Sequence, residues 1–433
     1  PDSYPVYSEV HKLFQSLTSS FNSYLPTLAK GFDEESRKQF TDGIGISGSE
    51  YRTEIYNNRF SVNIVTLTRN DLLQFLDTAL KFIDNTISRN RRNDGLYHAY
   101  NLIRFEEDRL EVNHLYEMLE GQVAVLSSGF LGAKEVSDVL KGLRNSAMYR
   151  ADQDSYTLYP DRLLPRFIEK NTLPEELINT SRILSSLKDQ PNRIIIRNIK
   201  GSYHFNPDFR NKDFLEQAMK ELGYGDAEVS EVAEVYETIF RHREFTGRSG
   251  TFFAYEGLGS IYWHMVSKLL LAIQENYWEG LSNGADSETL QYLREHYYLT
   301  RAGIGYEKNP ESYGAFPNDA YSHTPANSGV RQPGLTGQVK EDVINRFGEL
   351  GVFVADGCIQ FKPDLLRESE FLDHDTVFSY YDVNHEFKQI PLPVGSLAFT
   401  YCQVPVVYKL TDKQTVQIHT QSGTRESPEP LLD

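Results

Sequence analysis

A chain of 433 residues with a formal net charge of -17 is long enough for a deep core and too acidic to favour nucleic acid or an anionic membrane surface as a partner. Aromatic residues make up 12% of it, with 27 Tyr against 4 Met; tyrosine offers a flat apolar face beside a hydroxyl, which points to a neutral, polyhydroxylated ligand such as an oligosaccharide. No apolar run approaches bilayer-spanning length, so the protein is expected to be soluble, cytoplasmic or periplasmic, and Cys358 and Cys402 read as small strand residues rather than as a disulfide framework or a metal site.

In chain order, Val10, Leu13, Phe14, Leu17, Phe21 and Leu25 recur at three- and four-residue steps, which predicts an amphipathic helix over 6–25 that Pro26 ends. Leu72, Phe75, Leu76, Ala79 and Phe82 predict a second helix, with Asn70 or Asp71 as its cap. Asp94-Gly95 then forces a tight turn, followed by an exposed, irregular segment with His98, Tyr100 and Asn101. Two further helices, 114–128 and 133–148, are joined by a short Gly-Phe-Leu-Gly link and are expected to be antiparallel neighbours. Residues 149–173 read as loop and 193–200 as the one strand of the helical region. Helices resume over 214–222, 227–241, 257–277 and 288–300.

The stretch 305–351 opens as a loop dense in Gly, Pro, Asn and Tyr and closes as a helix carrying Val339, Val343, Ile344 and Phe347. A loop of that length in a compact domain lines a site. Tyr306, Tyr313, Phe316 and Tyr321 can stack on a ligand, while Asn318, Asp319, His323, Arg331 and Gln338 can hydrogen-bond to one. After Gly351 the period becomes strand-like, broken by Asp356-Gly357, Pro363 and Gly395. The predicted architecture is mainly α: a helical domain over 1–350, a small β-sandwich over 351–421 and an unstructured polar tail over 422–433.

These segments resemble, in order, the inverting disaccharide phosphorylases that include the cellobiose, chitobiose and cyclic β-1,2-glucan enzymes, built on an (α/α)6 barrel. Arg92-Asn93-Asp94-Gly95-Leu96 is similar to that family's Trp-Asn-Asp-Gly-Met loop, and Glu120 to Gly129 to the helix after it. Ser260-Ile261-Tyr262-Trp263-His264 resembles its helix with an aromatic and His start. The 305–351 stretch is similar to its Tyr/Pro loop and Thr-Gly phosphate turn, and 357–363 continues the likeness. The resemblance implies a barrel, incomplete here, then a sandwich. It also implies that an amino-terminal β-sandwich of a longer polypeptide is missing; the chain starts at Pro1 without Met or a leader, so either a signal was removed or this is a piece of that polypeptide. A homo-oligomer is open.

The chemistry needs a carboxylic acid to protonate the leaving oxygen and an attacker on the opposite face of the sugar ring, either phosphate or a water activated by a second carboxylate. Asp94 is the acid that the resemblance implies; from its own sequence it reads equally as a plain Asp-Gly turn. His323, Arg331, Thr336 and Gly337 are similar to the family's phosphate contacts, so inorganic phosphate is a possible co-substrate, and no cofactor or metal is expected. After the glycine this chain has Gln338, Val339 and Lys340 where the family has a small hydroxyl residue and Ala, which keeps hydrolysis open with Glu256 or Asp319 as base. Glu256 serves equally as a helix cap. Sugar contacts are expected from His98, Tyr100, Tyr255, Trp263, His264, Tyr313, Tyr321 and Gln338, with His264 open to a plain helix-end role. Glu117 and Glu120 read as solvated carboxylates one helical turn apart. The competing class is a glycan-binding or scaffold module that cleaves nothing, a fragment of a larger enzyme.

Overall fold

A computed structural model describes the chain except residues 1, 162–164, 189, 242–260, 305–307, 314–322, 325–337, 413–414, 421, 428–430 and 433. Strand β1 (Ser3–Tyr7) leads into α1 (Ser8–Lys30) and α2 (Glu34–Asn58), and β2 (Ile64–Thr68) into α3 (Arg69–Arg89), with β1 and β2 paired antiparallel. The three helices form a bundle held by phenylalanine rings: Phe21 and Phe82 lie 4.8 Å apart edge to face, and Phe40 and Phe82 5.1 Å apart and stacked. Pro26 does not end α1; it lacks only its own amide, Leu28 beyond it is buried, and the helix stops at Gly31, φ 97°, whose N–H bonds the Thr27 carbonyl at 2.8 Å. The cap of α3 is Thr68 rather than Asn70 or Asp71: its hydroxyl oxygen accepts from the Asp71 N–H at 3.1 Å, and the hydroxyl donates to the Asp71 carboxylate at 2.6 Å. Helix α2, which buries no residue, carries Gly43, Gly45 and Gly48 and has no strong apolar face to read.

Next come the hairpin β3 (Leu102–Phe105) and β4 (Leu110–Asn113), then α4 (Leu119–Leu126) and α5 (Ala133–Asn145). Residues 114–118, expected to be helical, are not; α4 begins only at Leu119, whose N–H bonds the Leu158 carbonyl at 2.7 Å. Two-residue strands β5 (Tyr149–Arg150) and β6 (Ser155–Tyr156) punctuate the loop that follows.

A separate module then runs through α6 (Phe167–Lys170), β7 (Thr172–Leu173), α7 (Glu175–Thr180), α8 (Arg182–Leu187), β8 (Ile195–Arg197), β9 (Tyr203–Phe205), α9 (Lys212–Glu221) and α10 (Asp226–Phe240). Its core, including Ile178, Leu184, Ile194, Phe205, Leu215, Met219, Val232 and Tyr236, contains, among the described residues, none from outside the module. Buried Asn171 ties it together: the side chain donates to the Phe205 carbonyl at 2.8 Å and accepts from the Phe205 N–H at 3.0 Å.

The main core surrounds α11 (Trp263–Ser282), which follows β10 (Ile261–Tyr262) and precedes α12 (Ser287–Ala302). Val266, Leu269, Leu270 and Ile273 are fully covered, as expected for a helix apolar on several faces. Helices α4, α5, α12 and α14 (Gln338–Leu350) pack on or around it, the last after α13 (Pro310–Tyr313) and β11 (His323–Thr324). The α4 and α5 pair thus rests mainly on α11 and α12 instead of on each other. Helices α11 and α14 run parallel. Gln274 donates to the Asn345 carbonyl at 2.8 Å, and one turn further along α11 Trp278 meets Phe353 of the strand that follows α14 at 4.9 Å. At Gly348 a Cβ would stand 2.0 Å from the Gln274 side chain, so only glycine allows this approach.

The all-β unit is present, its strands pairing as hairpins. They are β12 (Val352–Ala355) with β13 (Cys358–Phe361), β14 (Thr376–Tyr381) with β15 (Phe387–Leu392), and β16 (Ser396–Tyr401) with β17 (Val404–Lys409). Its small core, Leu350, Val352, Leu366 and Leu397, joins it to the end of α14. The expected strand β18 (Val416–Thr420) pairs with β19 (Gly423–Ser427), and β20 (Leu431–Leu432) adds to β13, both β19 and β20 lying where composition suggests an unstructured tail. The described structure is mainly helical with small two- and three-stranded sheets.

Candidate active site

Asp94 sits on the expected tight turn, with Gly95 at φ 83°. The turn is fastened to α4 by Gln122, which is fully buried; its side chain accepts from the Tyr97 N–H at 2.8 Å and donates to the Tyr97 carbonyl at 2.8 Å. Glycines permit the contact: a Cβ on Gly121 would stand 2.4 Å from Ala99 Cβ, and one on Gly142 of α5 would stand 3.2 Å from the Asp94 carbonyl. Arg92 holds the Asp94 carboxylate, with Nη2 at 2.8 Å from Oδ2 and Nε at 3.1 Å from both oxygens, and its Nη2 also lies 3.2 Å from Glu117. That guanidinium keeps the Asp94 carboxyl below the usual carboxylate range. Glu117, read from sequence as a solvated helical carboxylate, precedes α4 and shares Arg92 with Asp94.

His98 and His114 stack on the other side of the turn, ring centroids 4.0 Å apart and 12° from coplanar. Burial, with His114 as the next cause, pulls the His98 pKa below its ordinary value. His98 Nδ1 is buried without a hydrogen-bond partner, whereas His114 Nδ1 is 2.8 Å from Asn101 Oδ1. The pair suits a polar group on a ligand better than a core role. Tyr100 takes a left-handed backbone, φ 55°, which leaves its ring half exposed.

A second cluster gathers at the amino end of α11. Trp263 is buried, and Lys308 Nζ lies 5.0 Å above its ring while bonding Gln153. His264 Nδ1 is 3.2 Å from the Tyr262 hydroxyl, an ordinary helix-end contact. Strand β10 pairs with β11, which sets Tyr262 opposite His323 in the backbone register. Because α11 and α14 are parallel, Gln338 begins its helix at the same end as Trp263 and His264. A helix amino terminus favours an anion. Burial pushes the Lys308 ammonium down to about 8 and, with Glu341 as the next cause, the Asp342 carboxyl of α14 up to about 6. Neither Lys308 nor Asp342 was singled out in the sequence; a lysine amid loop residues and a carboxylate on a helix look solvated until their burial is known.

The two clusters are linked through backbone. Leu119 bonds Leu158, Thr157 bridges Ile261, and Tyr262 pairs with His323. Of the remaining expected site residues, Tyr255, Glu256, Asp319, Tyr321, Arg331, Thr336 and Gly337 lie outside the described residues, and Tyr313, His323 and Gln338 are placed by backbone alone. Among the described residues no group of three or more His, Cys, Asp or Glu side chains converges to hold a metal, and no helix is long and apolar enough to cross a membrane.

Residues 164–243 match the family model described as GH149 phosphorylase insertion domain 2. This segment, and not the rest of the chain, is what is similar to a GH149 phosphorylase. The matched segment is the module with its own core, so domain similarity and packing divide the chain at the same place. Periodicity alone merges these residues with the helical domain; the strand over 193–200, out of place among helices, is the one local sign of a separate module. The narrower likeness to cellobiose, chitobiose and cyclic β-1,2-glucan enzymes is not what the match carries. A comparison with curated proteins finds no match.

Proposed function

We propose that the chain carries the cleavage centre of an inverting glycoside phosphorylase acting on a β-linked disaccharide or short oligosaccharide, with inorganic phosphate as co-substrate. The observation that carries this reading is the match of residues 164–243 to a phosphorylase insertion domain. In this reading α4, α5, α11, α12 and α14 belong to an (α/α)6 barrel, and the amino ends of α11 and α14, at one end of the pair, favour the anion that phosphorolysis requires. A phosphate oxygen attacks the anomeric carbon from one face, the glycosidic C–O bond breaks on the other, and the leaving oxygen takes a proton from Asp94. His323, Arg331, Thr336 and Gly337 are the proposed phosphate contacts; His98, Tyr100, Trp263 and Gln338 are among the sugar contacts.

Asp94 must first carry a proton, and in the free protein Arg92 opposes that. Arg92 already reaches Glu117 at 3.2 Å, so a sugar that displaces the guanidinium towards Glu117 frees Asp94 to hold one. The second reading, a glycan-binding module without turnover, draws on the same ion pair: an acid that never leaves its arginine cleaves nothing. Incubation with a panel of β-linked disaccharides, with and without phosphate, separates the readings. Phosphate-dependent release of a sugar 1-phosphate of inverted configuration supports the first. Hydrolysis without phosphate would move the base to Glu256 or Asp319, and binding without any product would leave the module.

A further inference from the structure

The face that α14 turns to α11 carries more polar atoms than the core around it satisfies. Ser267, Glu341 and Asn345 are 0%, 4% and 3% exposed. Yet Ser267 Oγ, Glu341 Oε2 and both amide atoms of Asn345 have no hydrogen-bond partner, and neither has Asp342 Oδ1. Ser267 and Glu341 lie at one level of the fold. Ser267 lies two turns before Gln274, and Glu341 lies two turns before Gly348, the residue that Gln274 touches; in parallel helices those steps end side by side. Asn345 follows Glu341 by one turn on the same face.

Among the described residues Glu341 pairs with no buried cation: its other oxygen is 3.7 Å from Lys340, whose side chain is 68% exposed, and Arg301, which pairs with Glu349 at 3.2 Å, reaches Asp342 by charge alone. A buried carboxylate needs a positive partner, and exposures this low admit an ion rather than a sugar. We propose that Ser267, Glu341, Asp342 and Asn345 form a site for a hard, oxygen-seeking cation between the amino-terminal halves of α11 and α14. The donors are two carboxylates, an amide oxygen and a hydroxyl, the set such ions select, with no imidazole or thiolate to draw a softer metal. By clamping α14 to α11 the ion would fix the common end where the proposed anion site lies, but the site does not depend on the glycan chemistry.

The test uses the full chain, stripped with a chelator and melted against Ca2+, Mg2+, Na+ and K+ in turn, with terbium luminescence excited through the aromatic residues as a second readout. The wild-type melting temperature should rise and saturate with at least one of the four. Glu341→Gln should bind that ion at least tenfold more weakly with an unchanged circular dichroism spectrum. Ser267→Ala, a milder change, should weaken it as well and serves if the first variant does not fold. A wild-type melt indifferent to all four cations, or an undiminished response in the variants, overturns the proposal and leaves these groups to water alone. Both readouts are independent of turnover, so a failed phosphorolysis assay does not bear on them.

Discussion

Gln122 brackets the peptide of Tyr97, accepting from its N–H and donating to its carbonyl at 2.8 Å each, and it is fully buried while doing so. The Asp94 turn, closed within its own loop by the Arg92 N–H on the Leu96 carbonyl at 2.7 Å, is thereby fixed to α4. Gln122→Ala leaves a buried N–H and a buried carbonyl without partners, which costs about 2–4 kcal/mol. Chemical denaturation should register that loss, and turnover should fall further than the unfolded fraction explains, because the carboxylate moves with the turn.

Arg92 sets the charge of Asp94, and Arg92→Ala should let the carboxyl titrate closer to the ordinary range. The sign follows from the depressed folded value: the pair contributes stability above the unfolded pKa, and the contribution fades as pH falls through the folded one. Below about pH 4 the wild type should lose stability more steeply than the variant in acid melts. If Asp94 is the proton donor, only its protonated form is active, so the limb of the rate profile along which activity falls with rising pH moves to higher pH in Arg92→Ala. Asp94→Asn should abolish turnover and leave sugar binding nearly intact; full activity in that variant removes Asp94 from the mechanism.

How much of this was legible in the sequence depends on how local each signal is. Helices α9, α10 and α12 and strand β8 follow from periodicity, since each has one face to bury. Pro26 misled because a proline in a last turn removes one bond only, and α2 stayed hidden because its glycines dilute any apolar stripe. The Asp94 turn was visible as Asp-Gly. Its clamp was not, because Gln122 lies 25 residues away and nothing local marks a glutamine as buried. The module of α6 to α10 was missed for a similar reason: its helices are ordinary, and only the tertiary core separates them from their neighbours.

Lys308 offers a test at alkaline pH. Burial pushes it down to about 8, so between that value and the unfolded one, near 10.4, the unfolded chain holds more protons than the folded one. Stability therefore rises with pH across this window. Lys308→Met keeps the stem on Trp263 and removes the titration, so its urea midpoint should exceed that of the wild type at pH 7.5 and converge with it above pH 10.4, by about 1–3 kcal/mol at the lower end. Parallel curves for the two proteins would mean that Lys308 is solvated in solution.

The module over 164–243 should fold by itself. Among the described residues its sixteen buried core residues all lie between Leu173 and Tyr236, and the elements from α6 to α10 pack chiefly on one another. At this size a core leaves a small margin, so the excised segment should unfold in a single cooperative transition of modest midpoint. Asn171→Ala is the decisive variant within it. It removes one side chain that satisfies both the N–H and the carbonyl of buried Phe205, at a cost of about 2–4 kcal/mol. In the excised segment that should abolish the transition at 37 °C. In the full chain it should unfold the module while the melting of the α11 core stays in place, because no core residue is shared between them. One common transition, lowered as a whole by Asn171→Ala, would mean that the module and the helical core stand or fall together.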